Sequence, residues 1–199
     1  QVLASDPDYG PALNNLGIIH LLRGNTAESL RLFEAGLDGT GAAALLHFNF
    51  ALANQLSGDR QKGLLHYLKA VKEERGLIAA HINLGLLFER MERPEKALTE
   101  FLKVLSITQT NPDIYIYLGL NYARRGYDSM AEETIRKATL VEHNLPSPYY
   151  YFAKMEEGKD RAKAADHWRQ FISTVRRDRN RGFWVPFAEE RIAALGFTP

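Results

Sequence analysis

Metal and acid–base chemistry would rest first on the six histidines of this chain. A helical metal pair needs two of them at i, i+4. None of His20, His47, His66, His81, His143 and His167 is spaced that way. Adjacent carboxylates occur at Glu132-Glu133, Glu156-Glu157 and Glu189-Glu190. On a helix such neighbours point to different faces, so a solvated surface is expected and not an acid–base pair. The chain has no cysteine. It therefore has no thiolate nucleophile, no Cys-ligated metal and no disulfide framework. The patterns G-x-x-x-x-G-K-[ST], G-x-G-x-x-G and G-x-S-x-G do not occur. Gly58-Asp59-Arg60 reads as a turn and not as a phosphate loop. The expectation is no catalytic residue, no metal site and no cofactor.

Composition narrows the class further. Of the 199 residues, 45% are hydrophobic and 25% charged, which excludes a mostly disordered or collagen-like chain. The formal net charge of +1 gives no global pull toward nucleic acid or membrane. No apolar run approaches the ~18 residues of a membrane span. Nothing at Gln1 reads as a signal peptide. A soluble protein of either cytoplasm or periplasm fits, and the compartment stays open.

The elements that would position any site follow from an internal period of 34 residues. Asn15-Leu16-Gly17, Asn49-Phe50-Ala51, Asn83-Leu84-Gly85, Tyr117-Leu118-Gly119 and Tyr151-Phe152-Ala153 follow one another at that offset. Further columns are Gly24, Gly58, Glu92 and Gly126, then Phe33, Tyr67, Phe101 and Ile135, then Gly36, Ala70, Val104 and Ala138. A small residue in the Gly17 column lets two helices approach, and the large residue of the Phe33 column fills the space left. The Gly24 column falls between two helical patterns, where a left-handed residue is wanted. Leu13, Leu16, Gly17 and His20 follow i, i+3, i+4, i+7 spacing, as do Leu30, Phe33 and Leu37. Each repeat is thus a helix, a short turn and an antiparallel helix. In this register His20 shares a column with Phe88 and Tyr122, while His47 and His81 share one with Leu13 and Tyr115. All three are expected to pack.

These columns resemble the tetratricopeptide repeat. The small column Ser29, Gly63, Ala97 and Ala131 also follows that pattern. The resemblance implies an all-α, right-handed solenoid of antiparallel helix pairs forming one domain over residues 1–199. Repeats are expected over 10–43, 44–77, 78–111 and 112–145, with residues 1–9 ending a truncated repeat. A divergent repeat over 146–179 carries Ala164, Trp168 and Phe171, contracted by about one residue. Pro186, Ala188, Ile192 and Leu195 then predict a capping helix over 183–196, stopped by Gly196.

The family binds along the concave face, lined by the first helix of each repeat. The resemblance puts Asn14, Phe48, Ile82, Ile116 and Tyr150 at the fifth position, and Ile18, Leu52, Leu86, Leu120 and Lys154 at the ninth. Most are apolar, which suits a partner peptide or amphipathic helix. Internal packing, or self-association with a second copy, is the alternative. Asn15, Asn49 and Asn83 form a ladder of amides able to pair with a peptide backbone. The carboxylate clamp that some members use on heat-shock chaperones is missing: only its central Asn survives.

Residues 154–199 hold 10 Lys and Arg against 7 Asp and Glu, and residues 1–153 hold 15 against 17. Arg176, Arg177, Arg179 and Arg181 could form an anionic docking patch near Trp184. The alternative is a solvated helix end whose cations suit the helix dipole. The sequence thus predicts a non-enzymatic interaction scaffold or adaptor whose partner is a protein, with no nucleic acid expected. The alternatives are a structural or oligomerising subunit of a larger assembly, such as a secretion, pilus or motility apparatus, and the recognition domain of a longer enzyme.

Overall fold

A computed structural model of the chain describes residues 2–39, 41–177 and 182–199. Twelve helices and no strand are found among them. Two compact units divide the chain, Gln1–Ile107 and Thr108–Pro199. In the first unit, a short α1 (Val2–Ser5) precedes three helix pairs. These are α2 (Gly10–Leu22) with α3 (Thr26–Asp38), α4 (Ala43–Leu56) with α5 (Arg60–Glu73), and α6 (Ile78–Arg90) with α7 (Pro94–Ile107). The second unit pairs α8 (Pro112–Arg124) with α9 (Asp128–Val141), and α10 (Ser147–Glu156) with α11 (Arg161–Val175). It ends with α12 (Trp184–Ala194). In each pair the partners are neighbours in the chain and pack on one another.

The turn inside a pair is built identically four times. Gly24, Gly58, Glu92 and Gly126 have φ of 79°, 92°, 58° and 81°. The amides of Asn25, Asp59, Arg93 and Tyr127 then reach back to the carbonyls of His20, Asn54, Phe88 and Tyr122 at 2.9 Å. This bond satisfies a carbonyl that the ended helix leaves open. Of these four turn residues, only Glu92 carries a side chain in the left-handed region. Several starts are fixed by side chains. Asp59 accepts from the Lys62 amide, Asn111 from Asp113, and Asp160 from Ala162 and Lys163.

Close approach within a pair has a steric cause. A Cβ added to Gly17 would lie 2.4 Å from Phe33 Cε1, and one added to Gly85 would lie 2.4 Å from Phe101 Cε1. At Gly119 it would lie 2.3 Å from Ile135 Cγ1. Phe33, Phe101 and Ile135 are fully buried. The second pair uses Ala51 and Tyr67, both fully buried as well. The phenol of Tyr67 donates to Gln55 Oε1 at 3.1 Å, and burial pushes its pKa up to about 12 against the opposing pull of Arg90.

In the second unit, Trp168 follows Ile135 by 33 residues and takes the large-residue role in a core with Ala153, Ala164 and Phe171. Ala188, Ile192 and Leu195 of α12 join that core. Burying a side chain such as Ile192 is worth about 1.5–3 kcal/mol. Glu157 departs from the surface role expected for the Glu156-Glu157 pair. Its side chain is only 13% exposed and receives Arg191 from α12 at 3.0 and 2.6 Å. Trp168 Nε1 at 3.1 Å and Lys154 Nζ at 2.7 Å complete the network. Burial pushes the Glu157 carboxyl up, but the bonds from Arg191 and Lys154 outweigh it and hold it below its ordinary value. Adjacency on a helix predicts a solvated surface for both carboxylates. Glu157 instead follows the last residue of α10, where the chain turns back toward α11 and α12.

Candidate functional site

The first helix of each pair carries a stripe at i, i+4, i+8, which places its members on one helical face. In the first unit the stripes are Asn14, Ile18 and Leu22 on α2, then Phe48, Leu52 and Leu56 on α4, then Ile82, Leu86 and Arg90 on α6. Ile18, Phe48, Leu52, Ile82 and Leu86 are half-buried. Beyond them, Leu22 is 83% exposed and Leu56 is 66% exposed. Phe48 rests against Tyr67 with ring centroids 5.9 Å apart, and Ile18 packs on the core around Phe33 and Leu46. The equivalent stripe in the second unit differs. Ile116 is 3% exposed, Leu120 is half-buried, and Tyr150 stands edge-on to Trp168 at 5.5 Å.

The amides do not form one uniform ladder. Asn49 Nδ2 donates to Asn14 Oδ1 at 2.7 Å, and both residues are buried. That bond ties α4 to α2 and is worth about 1 kcal/mol net. It engages the Asn49 amide nitrogen and the Asn14 amide oxygen. Asn83 donates to the Ala79 carbonyl of its own helix and is half-buried, while Asn15 is exposed. Tyr117 and Tyr151 take the same column in the second unit. Burial raises both phenols, with Asp113 adding to each.

Two side-chain pairs escape a search for helical spacing, because they join residues 19 apart across a pair. His47 Nδ1 lies 3.1 Å from His66 Nδ1, and the Phe50 ring covers His66 at 4.3 Å. Burial lowers both histidines. His66 falls to about 4, helped by His47, Lys69 and Lys62, while at His47 Lys69 lowers and Glu73 raises. One repeat later His81 Nδ1 meets Glu100 Oε2 at 2.7 Å, and His81 Nε2 meets the Arg75 carbonyl at 3.1 Å. Lys103 completes that cluster on Glu100 at 2.8 Å. The signal for both pairs was the column itself, read at two positions together: Leu13 with Leu32, His47 with His66, His81 with Glu100, Tyr115 with Thr134.

In the second unit Tyr150 and Tyr151 open onto a cleft of about 560 Å³, walled also by Phe171, Val175, Phe183 and Trp184. Of the basic run, Arg176 pairs with Glu189 at 2.9 Å and Arg177 donates to Asn144 at 3.1 Å. Arg179 and Arg181 lie outside the described residues. Among the described residues no cluster of three or more His, Asp or Glu side chains could hold one metal ion. No helix among them is long and apolar enough to cross a membrane.

Residues 78–111, which contain α6 and α7, match the tetratricopeptide repeat family. None of the curated proteins matches the sequence. The fold is similar to that of MamA from Desulfovibrio magneticus, with a TM-score of 0.75 and 19% identity over 86% of this chain and 98% of that one. It is also similar to PilF from Pseudomonas aeruginosa, at 0.74 and 19% over 96% and 90%. A tetratricopeptide repeat protein from Parabacteroides merdae gives 0.78 and 18% over 94% and 72%. At these identities the likeness is one of fold: an all-α solenoid of packed helix pairs.

Proposed function

We propose that this chain, whose residues 78–111 match the tetratricopeptide repeat family, is a non-enzymatic scaffold that holds an apolar segment of a partner protein against its first helices. The observation that carries this is the set of stripes on α2, α4 and α6. Twice in register, apolar side chains pass from half-buried to exposed along one face, ending at Leu22 and Leu56, and on α6 the half-buried Ile82 and Leu86 lead to the exposed Arg90. Ile18, Leu52, Ile82 and Leu86 supply the floor, and the exposed leucines and Arg90 supply the rim. In the second unit Leu120 and Tyr150 are the accessible members. Asn14, Asn49 and Ile116 belong to the packing beneath. Burial removes them from direct contact with a partner.

A photo-crosslinking residue at position 52 or 86, in cells, tests the reading against one at Leu102, which is exposed on the second helix α7. Positions 52 and 86 should capture a defined partner that position 102 does not. L22D/L56D should lose that capture while far-UV circular dichroism stays unchanged, since both leucines are exposed. Equal capture from position 102, or capture that survives L22D/L56D, defeats the proposal. Light scattering on the same proteins decides whether the occupant is a second copy: a dimer that disappears in L22D/L56D would make the chain an assembly subunit.

A further inference from the structure

Two imidazoles meet inside the second helix pair although the repeat does not require them there. The same two positions hold Leu13 and Leu32 in the first pair, and Tyr115 and Thr134 in the fourth. We propose that Nδ1 of His47 and Nδ1 of His66 form a two-nitrogen site for a divalent transition-metal ion, with water completing the coordination shell.

Distance supports this first. Imidazole nitrogens bound to one ion at ~2.0–2.1 Å stand roughly 2.9–3.4 Å apart, for bond angles between a right angle and the tetrahedral one. The two Nδ1 atoms are 3.1 Å apart without an ion. The rings, with centroids 5.1 Å apart, are aimed at one another from two helices that pack directly. Little reorganisation is needed to bind. As a hydrogen-bonded pair, one ring carries its proton on Nδ1 and the other accepts it. Binding needs that proton moved to Nε2 of the same ring, and two waters leave the metal. Both rings stay neutral, so no proton need be released.

The surroundings choose the metal. Burial keeps both rings neutral near pH 7, the form that ligates. Lys62 and Lys69 act on the pair as nearby cations, and Glu73 acts as a nearby anion on His47. This balance of charge offers nothing to Mg²⁺ or Ca²⁺, which want several oxygen ligands. Imidazole nitrogen suits Cu²⁺, Ni²⁺ and Zn²⁺. His47 is half-buried, so the pair reaches solvent for its remaining ligands.

Calorimetric titration of the untagged chain with CuCl₂, NiCl₂, ZnCl₂ and MgCl₂ at neutral pH is the test. One equivalent of each transition metal should bind, and Mg²⁺ should not. H47L and H66L borrow the leucines of the first repeat and should stay folded. Each should weaken binding by about tenfold or more, whereas H143L should not. Should a variant fail to fold, ¹⁵N spectra of the unaltered chain replace it: Zn²⁺ should move the Nδ1 resonances of these two rings alone. The proposal is overturned if the unaltered chain binds no transition metal. Unweakened binding in H47L and H66L, equal binding of Mg²⁺, or ¹⁵N shifts at other histidines would overturn it too.

Discussion

Replacing Gly85 with alanine tests the account of why the helices of a pair sit so close. In an isolated helix this change gains about 1 kcal/mol, because glycine is a poor helix former. Here the new methyl would meet three atoms of the Phe101 ring at 2.4, 2.8 and 2.9 Å. Carbon atoms rest at about 3.5–4.0 Å, so ring or backbone must shift by about 1 Å. Phe101 is fully buried and has no open side to move into. Overpacking of this kind costs about 1–3 kcal/mol, and a contact this short belongs at the upper end. The net expectation is a loss of about 2 kcal/mol, read as a lower urea midpoint by far-UV circular dichroism. Phe101→Leu alone should cost about 1–2 kcal/mol, but it vacates the space that the methyl needs. The double variant should therefore be more stable than the sum of the singles predicts, by about 1 kcal/mol or more. Gly158→Ala is the control. Nothing lies within 4 Å of its added Cβ, so it should leave stability unchanged or raise it by about 0.4–1 kcal/mol. If Gly85→Ala is as stable as the parent, or the cycle is additive, the steric reasoning is wrong.

Acid should destabilise the chain through His47 and His66. The folded pair binds fewer protons than the unfolded one between about 4, where His66 titrates, and its ordinary 6.5. Stability is then full above that window and falls as pH drops through it. Allowing for screening by nearby water, the loss is on the order of 2 kcal/mol. H47L/H66L should flatten the dependence in urea midpoints measured across that range. Glu92→Gly should raise the melting temperature, since it removes a left-handed side chain at φ 58° worth about 1–2 kcal/mol, less the entropy that glycine loses. Glu157→Gln should lower stability by about 1–3 kcal/mol at neutral pH, because Arg191 loses its charged partner. The contribution of Glu157 is present above the ordinary carboxylate range and fades as pH falls through and below it. Differential scanning calorimetry of the Glu157→Gln variant against the parent at both pH extremes checks this.

Helix periodicity and the offset of 34 were enough to anticipate the left-handed turns at Gly24, Gly58, Glu92 and Gly126. They also anticipated the contact of Gly17 with Phe33 and the burial of Ala188, Ile192 and Leu195. Each of these depends on one residue type at one position, which a single column displays. The polar network was less legible because it depends on pairs of columns. Asn14 and Asn49 differ by 35 residues, so a search in steps of 34 files them separately, at the fifth and sixth positions. His47 with His66 and His81 with Glu100 cross from one helix to its partner, where no helical spacing rule applies. Glu157 was misplaced for a third reason. Lys154 is local, but Trp168 and Arg191 come from α11 and α12, and nothing near Glu156-Glu157 in the chain announces them.

Within each unit the helices pack substantially only on the next helix or the next but one. Among the described residues of a unit connected in this way no packing joins distant segments, so a load applied at the unit's ends is carried by its helix pairs in series. Pulled in an optical trap, it should give way pair by pair at low force, with no single large rupture. The weakest pair would set how far a partner could tug on the scaffold before releasing it.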